Sequence, residues 1–206
     1  MNAIKYISAF SVLFLVACAP LKITPEQRLP GGEAQQLNEP QQASEGKANI
    51  PTSATKVSSW KISGAMAARN KRKGWSASIN WVQQGINQYQ IRLFGPLGGG
   101  TVVIAKQGGT VTYTDGPKKI SSRNADELLL QQTDIQLPVN NLYYWVRGLP
   151  APGAVQSSHQ DKSGNLTSLR QAGYTINYAN YTSVNNVVLP GKIQLQGHGA
   201  AIKLVI

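Results

Sequence analysis

From Val57 onward, apolar residues recur at every second position in one short run after another, a period that suits strands with one buried face. The alternation passes through Trp60, Ile62, Gly64 and Met66. It resumes after Lys71-Arg72-Lys73-Gly74 at Trp75, Ala77, Ile79 and Trp81, and again at Tyr89, Ile91 and Leu93. Val102 to Lys106 and Thr110 to Thr114 continue it, with turns at Gln107-Gly108-Gly109 and Asp115-Gly116-Pro117. Further strand signals lie at Val155 to Gln160, Leu166 to Gln171, Tyr174 to Tyr181, Lys192 to Gln196 and Ala201 to Ile206. Two helix patterns interrupt the series. Ser122-Arg123-Asn124-Ala125-Asp126-Glu127 places a cap and first-turn acids ahead of three leucines. Pro138 to Gly148 opens on proline, sets Leu142, Trp145 and Val146 on one face and stops at glycine.

These elements predict a mainly β fold: a single strongly curved antiparallel sheet, an open half-barrel of about ten to eleven strands, with two helices inserted at mid-chain. Two short helices are a small cover for so many strands, so an apolar cavity is expected beneath them. Its candidate lining is Met66, Trp81, Ile91, Leu93, Leu142, Trp145 and Val146. Plain core packing is the alternative for each.

The turn Gly95-Pro96-Leu97-Gly98-Gly99-Gly100 lies between two strand-like runs and holds a large apolar residue at its tip. Glycine and proline are there for backbone geometry, which does not account for leucine. Two readings stay open: Leu97 folds back onto the core, or it is kept outside to touch lipid.

The N-terminus speaks of address. One lysine, Lys5, precedes an apolar run from Tyr6 to Val16 that is too short to span a bilayer, the pattern of a secretory signal peptide over residues 1–17. Leu15-Val16-Ala17-Cys18 resembles the lipobox of bacterial lipoproteins, which implies diacylglycerol and an N-linked acyl chain on Cys18. Ala19 after it implies the outer membrane by the rule of that class. Cys18 is the chain's one cysteine, so a disulfide framework is excluded. Residues 18–56 are poor in large apolar groups and rich in Pro, Gln, Glu, Ser and Gly, the composition of a disordered tether. Residues 57–206 form one domain.

The chain carries 20 Lys and Arg against 9 Asp and Glu. Four of those acids, Glu26, Glu33, Glu39 and Glu45, lie in the tether and are balanced there, so the excess positive charge belongs to the domain. In the envelope such a surface meets phosphate headgroups or an acidic partner, and nucleic acid would need another compartment. Lys71-Arg72-Lys73 reads as a solvated hairpin tip first and a headgroup contact second.

Five segments in register resemble the LolB family of outer-membrane lipoprotein receptors. They are Trp81-Val82-Gln83-Gln84-Gly85 followed by Tyr89; Pro96-Leu97-Gly98; Leu137 to Pro150, including Asn140-Asn141-Leu142-Tyr143-Tyr144-Trp145-Val146-Arg147-Gly148; Gln171-Ala172-Gly173-Tyr174; and Ile202-Lys203-Leu204. The resemblance implies a half-barrel over an acyl-binding cavity, a monomeric receptor, and a partnership with the soluble periplasmic carrier LolA. It also implies that lipoproteins are delivered into outer-membrane phospholipid with the domain facing the periplasm, and that Pro96, Leu97 and Gly98 form a membrane-insertion loop. The C-terminal Ile202-Lys203-Leu204-Val205-Ile206 lacks the family's aromatic tail, which predicts a shorter last strand.

An enzyme is the rival class, and the residues argue against it. The chain has no Gly-x-Ser-x-Gly elbow and no Gly-Lys-Ser/Thr phosphate loop. His159 and His198 lack His or Cys at ligand spacing and read as surface strand residues, while Asp126 and Glu127 are explained as helix-start charges. No catalytic residue, metal or dissociable cofactor is expected. A structural or lipid-binding envelope lipoprotein without transfer activity is the remaining alternative.

Overall fold

The computed structural model describes residues 52–95 and 100–206, all within one compact unit that spans Glu45–Ile206. The predicted signal peptide, Cys18, and the loop residues Pro96, Leu97 and Gly98 lie outside the described residues.

In chain order the elements are α1 (Thr52–Thr55), β1 (Ser59–Arg69), β2 (Gly74–Gln84), β3 (Gln88–Phe94), β4 (Thr101–Gln107), β5 (Thr110–Asp115), β6 (Lys118–Ser122), α2 (Ala125–Thr133), α3 (Val139–Trp145), β7 (Val155–Gln160), β8 (Leu166–Gln171), β9 (Tyr174–Val184), β10 (Val187–Gly197) and β11 (Ala200–Val205). The eleven strands make one sheet in the order β6-β5-β4-β3-β2-β1-β11-β10-β9-β8-β7. Neighbours in the chain are neighbours in the sheet, so two antiparallel meanders are joined by a single pairing of the first strand with the last. That pairing runs from Ala65 opposite Val205 to Arg69 opposite Ala201. Strands β6 and β7 are the two free edges, and α2 and α3 lie between them in sequence. The sheet is therefore not closed into a barrel, as expected.

The period-two pattern maps directly onto burial. Along β3, Tyr89, Ile91 and Leu93 are buried while Gln88, Arg92 and Phe94 are exposed. Both helices begin and end where their sequences say. The Asn124 side chain accepts the Glu127 N–H at 3.1 Å, with Asp126 and Glu127 in the first turn. Helix α3 stops at Gly148, which takes φ 69°. There Gly148 N–H donates to Trp145 O at 3.0 Å and Leu149 N–H to Tyr144 O at 3.2 Å, a left-handed glycine stop. A Cβ at 148 would stand 3.0 Å from the Tyr181 hydroxyl, so glycine is required for both conformation and space.

Three local features differ from expectation. Strand β6, Lys-Lys-Ile-Ser-Ser, escapes the pattern because it is an exposed edge with one apolar residue, held by pairing with β5 and by the Thr112–Ser121 hydroxyl contact at 2.8 Å. Strands β9 and β10 extend well past Tyr181 and before Lys192, through an Asn185-Asn186 turn with φ of 49° and 62°. Pro190 stands within the ladder opposite Tyr181, Asn180 beside that partner adopts φ 57°, and the same register continues at Lys192 opposite Ala179. The third concerns the tether. Ordered chain is already present at Thr52, and Ala54 of α1 is buried, so the folded body starts before the predicted Val57.

The seam between the two meanders tolerates no side chain at one point. An ideal Cβ on Gly64 would lie 2.0 Å from Val205 O, where the end of β11 crosses β1. Gly64→Val is expected to lose about 3 kcal/mol or more of stability, because the clash is with backbone that cannot rotate away. Urea denaturation of the variant against the parent checks it, and an unchanged midpoint would contradict this account of the seam.

Candidate functional site

The inner face of the sheet is carbon. Ile62 and Met66 from β1, Ile79 and Trp81 from β2, Ile91 and Leu93 from β3 and Ile104 from β4 face Ile176 of β9, Ile193 and Leu195 of β10 and Ile202 and Leu204 of β11 within one buried cluster. Leu128 and Leu129 of α2 and Leu142 and Trp145 of α3 press into it. The helices fill the hollow more completely than their length suggests, since α2 offers two adjacent leucines and α3 a tryptophan.

What remains of the expected cavity is a void of about 20 Å³. Met66, Trp81, Ile91, Leu93 and Leu142 line it, with Leu137, Val139 and other apolar side chains. By size it would hold about one water, but nothing polar lines it to receive one, so it is dry. An acyl chain does not fit there unless the helices move outward. Trp145 and Val146 are placed elsewhere, which corrects the predicted lining. Trp145 is fully buried with its ring edge-on to Tyr174 at 5.7 Å, and its indole N–H donates to Gln171 Oε1 at 3.0 Å. Val146 lies in the wall of a separate groove of about 450 Å³, between the start of β1, the end of α3 and the β9–β10 hairpin.

Polar groups hold the cover at its margins. Gln171 is buried and clamps the chain after α3, accepting from Ala151 N–H at 2.9 Å and donating to Ala151 O at 2.6 Å while it receives Trp145. On β2, Gln83 accepts the Trp81 indole N–H at 2.8 Å and donates to Gly85 O. At the far end of α2, Asn70 donates to Asp134 O at 2.5 Å and Lys73 forms an ion pair with the Asp134 carboxylate, whose pKa it holds below the ordinary range. Both partners of that pair are exposed, so it contributes little. The tip Lys71-Arg72-Lys73 is thus a fastening for the helix as well as a solvated turn.

One group is seated against its preference. Burial raises the pKa of Asp126 in the first turn of α2, and its Oδ1 has no hydrogen-bond partner. Tyr174 nearby is pushed up to about 12 by burial and then by the Asp126 charge.

The membrane-loop candidates can be located only through their neighbours. Phe94 pairs with Thr101, and Gly95 N–H donates to Gly100 O at 3.2 Å, closing the base of a hairpin. Phe94 lies opposite Ser78, and Ser78 opposite Ala65. The register therefore places Phe94 and Thr101 toward the sheet end that also bears the Lys71-Arg72-Lys73 tip, away from the end marked by Ser59 and Gln84.

Among the described residues no group of His, Cys, Asp and Glu is arranged to hold a metal, and no helix is long and apolar enough to cross a membrane. His159 is on β7, whereas His198 sits in the β10–β11 turn at φ 48° and stacks on Tyr174 at 4.8 Å, a turn residue where a strand was expected.

The family model described as outer membrane lipoprotein LolB matches residues 58–206. The chain belongs to the LolB family. An outer-membrane lipoprotein LolB of Coxiella burnetii is 37% identical over 153 residues, covering 74% of this chain and 72% of its own. Its counterpart from Nitrosococcus oceani is 33% identical over 199 residues, covering 95% and 92%. That of Ectopseudomonas mendocina is 30% identical over 205 residues, covering 98% and 95%. Among solved structures, a LolA superfamily protein of Nitrosomonas europaea is similar with a TM-score of 0.47 and 10% identity, over 72% of this chain and 83% of that one. Four of the five segments singled out in the sequence fall on distinct parts of this fold, the Trp81–Gln83 clamp, the α3 cover with its glycine stop, the Gln171 clamp and the seam strand β11, while Pro96-Leu97-Gly98 lies outside the described residues.

Two outcomes test the site. Gln171→Ala leaves the Trp145 indole and both Ala151 backbone groups unpaired in the interior. At about 1–3 kcal/mol for each stranded group, it is expected to be among the most destabilising single changes near α3, as read by thermal denaturation. For Asp126 the native pKa lies above the unfolded one, so the native state binds more protons between the two and stability falls as pH rises through the carboxylate range. Asp126→Asn should flatten that segment of the stability–pH curve. Asp134 and Asp161, whose pKa values are lowered, keep their opposite dependence at more acid pH.

Proposed function

We propose that this chain is an outer-membrane-anchored receptor that takes acylated lipoproteins from a soluble periplasmic carrier of the LolA type and places them in the outer membrane. The anchor is the diacylglycerol and N-acyl chain on Cys18, the domain faces the periplasm, and the molecule works as a monomer without nucleotide, metal or dissociable cofactor. A lipoprotein's acyl chains cannot cross water unaided, since exposing even one costs on the order of ten kcal/mol at about 0.8 kcal/mol per methylene. Transfer is then mouth to mouth, and it proceeds downhill if each acceptor holds the chains more tightly than the last.

The observation that carries this reading is the wholly apolar space under a cover of two short helices, on a sheet whose edges β6 and β7 are not joined to each other. Non-directional carbon contacts let α2 and α3 ride outward on an incoming chain and then let the chain's methylenes replace their leucines. The void of about 20 Å³ is, in this reading, the collapsed form of the acyl site, and Met66, Trp81, Ile91, Leu93 and Leu142 are its walls. Trp145, tied to Gln171, belongs to the part of the cover that stays fixed.

Pro96, Leu97 and Gly98 are the insertion loop. Phe94 and Thr101, the strand ends that flank these residues, lie at the same sheet end as Lys71-Arg72-Lys73, which supports a membrane-facing end, where cations meet headgroup phosphates while a leucine enters the acyl layer. Burying one leucine contributes about 1.5–3 kcal/mol, enough for contact and too little for anchoring. Leu97→Glu is expected to leave acceptance of a triacylated lipoprotein from the carrier intact and to slow its delivery to phospholipid vesicles tenfold or more. Normal delivery by this variant would remove the loop's role.

A further inference from the structure

Arg147 is a cation stored in the interior with no anion. It is 6% exposed, its guanidinium carbon lies 4.3 Å from the Tyr143 ring centre, 5.1 Å from Trp60 and 5.5 Å from Tyr144, and it lines the groove of about 450 Å³. Its Nε donates to Tyr143 O at 3.0 Å and one Nη to Val57 O. Those bonds use two of its five N–H groups, and no carboxylate among the described residues pairs with it. Trp60, in the same groove wall, has a buried indole N–H without an acceptor. Burying a charge without a partner is costly, and stacking on three aromatic rings offsets only part of that cost. The rest of the groove is greasy: Val146, Val184, Val187, Leu189 and Ile206 line it, and Val184 is 52% exposed at its rim.

We propose that this groove binds a single anionic lipid, with a phosphate head on the Arg147 guanidinium and an acyl tail along the apolar wall of the β9–β10 hairpin and Ile206. Unpaired donors at one place and bare carbon at the next are the two halves of an amphiphile's complement. A phosphate takes a guanidinium through two parallel hydrogen bonds and keeps oxygen to spare for the indole N–H. Lys61, also in the wall, adds charge of the same sign. The volume falls in the range of small-ligand sites. The β9–β10 ladder around Pro190 forms one wall of the site, and β11 is fastened to it there, where Ile206 N–H donates to Gly191 O at 2.9 Å. By register this sheet end lies away from Phe94 and Thr101, so the site does not depend on the proposed insertion loop or on lipoprotein transfer.

The test is calorimetric titration of the full chain, carrying Cys18→Ala so that no anchor is attached, with octyl phosphate, octanol and inorganic phosphate. Trp emission serves as a second readout. Octyl phosphate is expected to bind at least tenfold more tightly than octanol. Arg147→Gln should erase that difference and Arg147→Lys retain part of it. Val187→Trp fills the groove without touching the cation, and should weaken both ligands while the circular dichroism spectrum stays that of the parent. Equal affinity for the two ligands, a preference that survives Arg147→Gln, or failure of both to bind would overturn the proposal. Displacement of octyl phosphate by an equal concentration of inorganic phosphate would also overturn it, by reducing the site to one for a bare anion.

Discussion

The structure depends on one pairing, that of its first strand with its last. Strands β1 to β6 and β7 to β11 are each a simple meander that local turns can build alone, and only the β1–β11 ladder makes them one sheet. Because those partners are the most distant in sequence, their contact comes at the highest loop-closure cost. It is rewarded by the apolar face it completes: Ile202 and Leu204 stand beside Ile62 and Met66 in one cluster with the α2 and α3 leucines. Gly64 is what that closure requires of the sequence, a strand position without a side chain where Val205 crosses.

A continuous sheet with free edges creates the second constraint, since an inner face of this extent must be covered. Helices α2 and α3 cover it from a connection that runs from one edge strand to the other. The cover adheres through carbon and is fixed by hydrogen bonds only at particular margins, Gln171 at one side and Asn70 with Lys73 at another. Carbon contacts can be exchanged for other carbon contacts at little net change, whereas the Gln171 bonds cannot be replaced by an acyl chain. That division of labour is what a lipid receptor needs, a cover that gives way over its apolar area without losing its position.

The two ends of the sheet are chemically unlike. One carries the Lys71-Arg72-Lys73 tip and the ends of β3 and β4 at Phe94 and Thr101. The other carries the β9–β10 hairpin and the groove around Arg147. The asymmetry arises from turn chemistry: Asn185 and Asn186 at positive φ close the long β9–β10 hairpin, while a glycine-rich sequence links β3 to β4.

Much of this was legible in the sequence because the governing signals are local. Strand faces followed from alternation, helix ends from Asn124, Pro138 and Gly148, and family membership from five segments whose spacing the fold must respect. Strand β6 was illegible because an exposed edge needs little apolar pattern, and the length of β9 and β10 was hidden because their outer parts are mostly exposed or half-buried and lack the alternation that marks a strand. Arg147 was visible only as part of a motif. Tyr143 and Tyr144 are one helical turn away, but its burial against Trp60 joins residues far apart in sequence, and no local signal reports that. The sequence by itself determined that the chain would form a curved apolar-faced sheet with two helices to cover it, since periodicity and caps act within a few residues. Only the tertiary structure decided how far those helices fill the hollow and where an unpaired cation comes to rest, because packing volume and counter-charge are settled between elements that meet only after the sheet has closed.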